Sequence, residues 1–318
     1  MHPALSVIFF TTLSGAGYGL LIWSALAALF RWTGAGSLLV CVLLALVLVT
    51  IGLFSSMAHL GKPLRAWRAF SQWRTSWLSR EGVMALATYL PALTLLGILG
   101  TVLFASHGDD SIPREFAGTL AATSLLLIAG ALATVVCTAM IYASLKPIPA
   151  WGHAVVVPVY LLFALLTGGL LCAALSALYG SISNVVAMMG VFAAIALAVV
   201  KWRYWRDIDG APLPMTRGDA VGLPGRTVSV FERPHTESNY LTREMGFVVA
   251  RKHSRKLRTI ALTLFAIVPI LLLLPVWFFV HLDAAPWLGL AALSTLAGAF
   301  VERWLFFAEA KHLVTLYY

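Results

Sequence analysis

Eight stretches of this chain are long and apolar enough to cross a lipid bilayer, and that leaves room for few other folds. A spanning helix needs about 20 mainly apolar residues in a row. On that rule the spans fall near residues 4–30, 37–57, 82–104, 116–142, 151–178, 182–200, 259–280 and 285–307. One long polar interval remains, 201–258. Charged residues make up 11% of the chain, against about 25% in a soluble domain. The expected fold class is therefore all-α: a polytopic membrane bundle of eight transmembrane helices, one membrane domain with a long basic loop. The first apolar run exceeds the apolar core of a signal peptide and has no charged segment before it, so it reads as a span.

Short connections make neighbouring spans antiparallel, and an even number of spans puts both termini on one side. That side carries Lys62, Arg65, Arg68, Arg74, Arg80 and Lys146, and then twelve Lys/Arg between Lys201 and Arg258. The other side carries Arg31 and Arg114, so the count is 18 against 2, or 6 against 2 without the long loop. The positive-inside rule makes the richer side cytoplasmic. The net charge of +9 thus reports topology and partner surfaces rather than nucleic acid. Within the long loop, 239–258 is basic and helix-compatible. Arg243, Arg251, Lys252, Arg255 and Lys256 suit either anionic lipid headgroups or a soluble docking partner.

Chemistry is scarce inside the spans. The first seven have no Asp, Glu, Lys or Arg away from their ends, which argues against an ion pathway or transporter. Glu302-Arg303-Trp304 reads as an interfacial end holding an ion pair or snorkelling anchor. Cys41, Cys137 and Cys172 sit in apolar runs with no CxxC spacing, so no metal or iron–sulfur site is expected. None of the eight histidines lies deep enough for a bis-histidine haem.

The stretch SMAHLGKPLRAWRAFSQWRTSWLSREG, residues 56–82, stands apart. His59 closes the second span before Gly61 and Pro63 stop it. An imidazole at headgroup depth can exchange a proton with water and hydrogen-bond a lipid-soluble carbonyl. Glu81 opens the third span as a second candidate proton carrier. Arg65, Trp67, Arg68, Trp73 and Arg80 can line a pocket or serve as interface anchors. In the first span Ser14 and Tyr18 share a helix face within a run of small residues. That run suits either close helix packing or a slot for a flat ring.

FFTTLSGAGYG, AHLGKPLRAWRAFSQWRTSWLSREG, REMGFVVARKHSRKLR and ERWLFFAEAKH resemble the motifs of the membrane anchor subunits of dimethyl sulfoxide reductase-type molybdoenzymes. The resemblance runs from the first helix to the last, and departs at Tyr18, where a polar amide is often seen. It implies an eight-helix anchor in a bacterial inner membrane, without haem, that exchanges electrons with menaquinone or ubiquinone. It also implies two soluble partners: a subunit with [4Fe–4S] clusters and a catalytic subunit with a molybdenum bis-pterin cofactor. The family's quinol-binding histidine and glutamate fall on His59 and Glu81. With the His59 loop on the positive side, the partners are expected in the cytoplasm, as in the sulfite:quinone oxidoreductase subgroup. The alternatives are a quinol-oxidising anchor of a dimethyl sulfoxide or related reductase, and a purely structural tether.

Overall fold

The computed structural model describes residues 4–58, 60–105, 110–180, 184–211, 213–232, 237, 249–279 and 281–317. Among them eight helices are long and apolar enough to span a membrane, and the protein is a polytopic helical membrane protein. The elements are α1 (Leu5–Phe30), α2 (Ala35–Met57), a 3₁₀ segment (Pro63–Gln72) and α3 (Trp77–Ala105). They continue with α4 (Ala117–Ala143), α5 (Val156–Leu178), α6 (Asn184–Gly210) and the single turn α7 (Arg217–Ala220). Last come α8 (Val249–Leu262), a π-helical turn (Thr263–Ile267), α9 (Val268–Phe278) and α10 (Ala284–Ala308).

Helix α1 is the centre of the bundle and touches α2, α4, α5 and α10. Its small residues set how closely it is approached. A Cβ on Gly19 would overlap the Ala164 carbonyl oxygen, and one on Gly168 would overlap the Gly19 carbonyl carbon. The α1 and α5 backbones therefore meet with nothing between them, as small-residue membrane interfaces do. Gly17 and Gly52 do the same between α1 and α2. Close packing, one of the two uses open to the small-residue run, is seen at Gly17 and Gly19.

At the end away from the His59 loop, α1 stops on Arg31 in the left-handed region, with φ 55°. A short turn leads into α2, whose free amides are met by Asp110. The Asp110 carboxylate accepts from Gly36 N–H at 2.5 Å, and its carbonyl accepts from Ala35 N–H at 2.9 Å. A Cβ on Gly34 would overlap that carboxylate, so glycine is what admits the acid.

The opposite end gathers the α4–α5 link and the C-terminal ends of α6 and α10. Trp151 Nε1 donates to the Phe306 carbonyl at 2.9 Å, and Leu313 N–H to the Pro147 carbonyl at 3.0 Å. Arg258 from α8 reaches Asp209 on α6 at 2.6 Å and Glu309 past α10 at 2.9 Å.

The helices depart from the sequence expectation at several points. Helix α3 begins at Trp77, so Glu81 lies in its second turn instead of at its start. Helix α6 continues to Gly210, taking in ten residues assigned to the loop. The seventh span absorbs Pro269 through a π-helical turn. Proline's ring crowds the carbonyl four residues back, here Phe265, and the wider turn makes the room.

Candidate functional site

The 3₁₀ segment after α2 lies back against the first turns of α3. Ser79 Oγ hydrogen-bonds the Ala69 carbonyl, and the Phe70 ring packs on Gly82, where a Cβ would sit 2.9 Å away. The Arg80 guanidinium donates to the carbonyls of Trp73 at 3.0 Å and Arg74 at 2.6 Å, and stacks 4.3 Å from the Trp77 ring. Arg80 is thereby a brace that fixes the loop.

Beneath this loop is a cavity of about 1020 Å³. Its walls come from α1 (Val7, Phe10), α2 (Thr50, Leu53, Phe54, Met57), α3 and the ends of α4 and α10. On α3 the lining residues Leu78, Gly82, Ala85 and Tyr89 recur at helical spacing. The walls are mostly apolar, and polar groups cluster at two levels. Lys62, Arg65 and Trp67 stand at the loop, and Glu81 lies further in. Thr50 Oγ1 and Tyr89 OH, 2.6 Å apart, form a hydroxyl pair deeper still.

Glu81 is 5% exposed, and its Oε1 has no hydrogen-bond partner among the described residues. A buried carboxyl oxygen without a partner is costly, and here it borders a cavity large enough for a ligand that would satisfy it. Lys62 and Arg65 supply a positive rim. The arrangement fits an elongated, mainly apolar molecule with a polar head.

Of the residues singled out in the sequence, Arg65, Trp67 and Glu81 line this cavity. Arg68 and Trp73 do not: Arg68 rests 5.7 Å from the Trp67 ring, and Trp73 is exposed beside Arg74. Ser14 and Tyr18 face another void, and Ser14 Oγ bonds the Phe10 carbonyl at 2.6 Å. His59 lies outside the described residues; its neighbours Met57 and Leu60 border the cavity. Arg243 and the side chains of Arg251 and Lys252 also fall outside them, while Arg255 and Lys256 are exposed on α8.

Thr50, Tyr89, Tyr142 and Trp151 line the cavity without having been singled out. The helical stripe 78/82/85/89 was the available signal, since it begins at the loop and carries Glu81 beside it.

A larger revision concerns charge inside the bundle. Lys201, Glu302 and Arg303 are 1%, 0% and 2% exposed. Lys201 Nζ meets Glu302 Oε1 at 2.5 Å, and Arg303 Nε lies 3.5 Å from Glu302 Oε2. Of the two readings of Glu302 and Arg303, the ion pair is the one seen, and it is buried instead of interfacial. Helix α6 runs past the expected end of its span and brings Lys201 inward to meet them. Among the described residues no group of His, Cys, Asp or Glu could hold a metal ion.

A family model described as "DMSO reductase anchor subunit (DmsC)" matches residues 1–308. A subunit of the sulfite dehydrogenase of Allochromatium vinosum is 34% identical over 333 aligned residues, covering 100% of this chain and 99% of that protein.

Proposed function

Because the chain belongs to the DMSO reductase anchor subunit family, we propose that it is the quinone-reactive anchor of a membrane-bound sulfite-oxidising complex. The observation that carries this reading is the apolar cavity of about 1020 Å³ with buried Glu81 on its wall, its Oε1 without a hydrogen-bond partner among the described residues, and a cationic rim above it. A quinone asks for such a place: an apolar run for its tail, polar donors for its carbonyls, and titratable groups for its protons.

The soluble partners are an iron–sulfur electron-transfer subunit and a molybdopterin catalytic subunit with a molybdenum bis-pterin centre. They seat over the 3₁₀ segment and the exposed cations Arg255 and Lys256, on the cytoplasmic face of a bacterial inner membrane. Sulfite oxidation takes place in the catalytic partner: sulfite, water and quinone give sulfate and quinol. This chain's share is to hold menaquinone or ubiquinone within electron-transfer reach of the nearest cluster. His59 and Glu81 bring protons from the cytoplasm. Arg80 keeps the loop in place, and the Thr50–Tyr89 hydroxyl pair is available to a quinone carbonyl. The name of the Allochromatium vinosum relative supports sulfite as the electron source.

His59→Phe and Glu81→Gln test the assignment. Each is expected to cut quinone-linked sulfite oxidation by about 100-fold or more, the scale of a lost acid–base group. Sulfite oxidation with a soluble dye should continue. Full quinone activity in both variants refutes the site, and an export signal on the catalytic partner refutes the cytoplasmic arrangement.

A further inference from the structure

The large cavity is closed on one side and open on another. Phe10 on α1, Tyr142 on α4, Trp151 before α5 and Phe307 on α10 wall its inner side, and each is at most 8% exposed. Phe54 on α2 and Leu78 and Leu86 on α3 line the same cavity, yet they are 67%, 52% and 58% exposed. A side chain that borders a cavity and the outside at once stands at its mouth. The mouth therefore lies between α2 and α3.

The packing explains the gap. Helix α3 lies far more closely against α4 than against α2. The deep edge of the gap is the Thr50–Tyr89 hydrogen bond, at 2.6 Å, which ties α2 to α3. Its upper edge is the 3₁₀ segment, where the Phe70 ring sits on Gly82. Phe54 comes three residues before the end of α2, and Leu86 nine residues after the start of α3. At about 1.5 Å per residue, Leu86 is about 13 Å along its helix. The gap thus falls within the cytoplasmic half of an apolar slab about 30 Å thick. Lys62 and Arg65 stand above it at the loop, so a chain passing between Phe54 and Leu86 meets hydrocarbon alone.

We propose that the gap between α2 and α3 is a lateral portal that takes the polyprenyl tail of a membrane quinone. The proposal rests on the quinone reading of the cavity, and adds the route of entry and the place of the tail. The ring lies inside, at Glu81, and the tail leaves past Ala85, Leu86 and Phe54 into the bilayer. A cavity of about 1020 Å³ has room for the ring and for the first part of the tail. A phospholipid acyl chain is the other hydrocarbon at hand. It would bring nothing for Glu81 Oε1 to bond, which has no hydrogen-bond partner among the described residues, whereas a quinol hydroxyl would. A side entrance also lets quinone exchange with the pool while a soluble partner sits on the 3₁₀ segment.

The test uses the whole complex in lipid nanodiscs and two quinones, one with a polyprenyl tail and tetramethylbenzoquinone, which has none. Leu86→Trp places a larger ring at the exposed mouth. It is expected to lower kcat/KM for the tailed quinone about tenfold or more relative to the tailless one, the scale of a methylene or two displaced from an apolar pocket. Leu93→Trp, exposed on α3 away from the cavity, should keep the wild-type ratio. A polyprenyl quinone with a diazirine on its tail should photolabel residues 53–57 of α2 or 78–86 of α3, and excess unlabelled quinone should abolish the label. A wild-type ratio in Leu86→Trp, or a competed label confined to α1, α4 or α10, overturns the portal and leaves the quinone site standing. A diazirine phospholipid that labels 53–57 and 78–86 and is not displaced by quinone makes the gap an acyl-chain site, and also overturns it. A wild-type complex with no turnover of either quinone and no competed label overturns both readings.

Discussion

Arg258 shows how much one residue holds at the loop-side end of the bundle. Its guanidinium bonds Asp209 through two nitrogens, at 2.6 and 3.0 Å, and Glu309 at 2.9 and 3.1 Å, joining α6, α8 and the segment after α10. The two arms differ in environment. Asp209 is largely exposed, so that pair is worth less than about 1 kcal/mol. Glu309 is buried at a helix C-terminus, where a carboxylate is already disfavoured. Burial raises its pKa, and Arg258 opposes that. Arg258→Leu should therefore cost about 3–5 kcal/mol near neutral pH, because it strands a buried carboxylate. Asp209→Asn should cost under about 1 kcal/mol. The sign of the pH dependence follows from the raised pKa. Glu309 is best tolerated below the ordinary carboxylate value of about 4.3, and that tolerance is lost as pH rises through its folded value. The Arg258→Leu deficit should thus shrink on acidification. Unfolding in mild detergent, followed by helical circular dichroism, measures all three.

At the scale of elements, the eight spans were legible because bilayer thickness fixes helix length, and hydropathy reads length directly. Helix ends were less legible. Lys201 ends an apolar run, yet α6 carries it inward because Glu302 on α10 waits to pair with it, a contact 101 residues away in sequence. The cavity stripe on α3 was signalled only by its start at the loop and by Glu81 beside it, because Leu78, Gly82 and Ala85 are apolar in the sequence whether they face lipid, protein or a void. Helix–helix contacts were legible only as a choice between two uses of small residues. That use can be tested at matched glycines. Gly19→Ala places a methyl against the Ala164 backbone, which cannot move aside as a side chain would. It should destabilise by about 3 kcal/mol, the upper end of ordinary overpacking. Gly97 on α3 has no atom within 4 Å of an added Cβ, so Gly97→Ala should stay within about 0.5 kcal/mol of the wild type. Equal losses at the two positions would mean that α1 and α5 do not meet backbone to backbone.

For the whole molecule, the decisive property is which end faces the cytoplasm, because the residues that line the large cavity all come from one end of the bundle. The α4–α5 link, the ends of α6 and α10 and the 3₁₀ segment share that end, and it carries the excess of Lys and Arg. The opposite end has Arg31 and Arg114, with Asp110 sealing the start of α2. Cys41, Cys137 and Cys172 are all buried in the bundle, so new surface cysteines can be labelled against a quiet background. Lys146 lies exposed at the cavity end and Arg114 exposed at the other. A membrane-impermeant maleimide applied to intact spheroplasts should label Arg114→Cys and leave Lys146→Cys unlabelled until the cells are lysed. Single substitutions in the shorter loops leave the charge asymmetry that sets orientation nearly unchanged, so neither probe should invert the protein. The reverse labelling pattern would put the cavity rim, and any iron–sulfur partner seated on it, outside the cytoplasm. Protons for the quinone would then be drawn from the outer side, and the same residues would form the site in a complex whose soluble subunits must be exported.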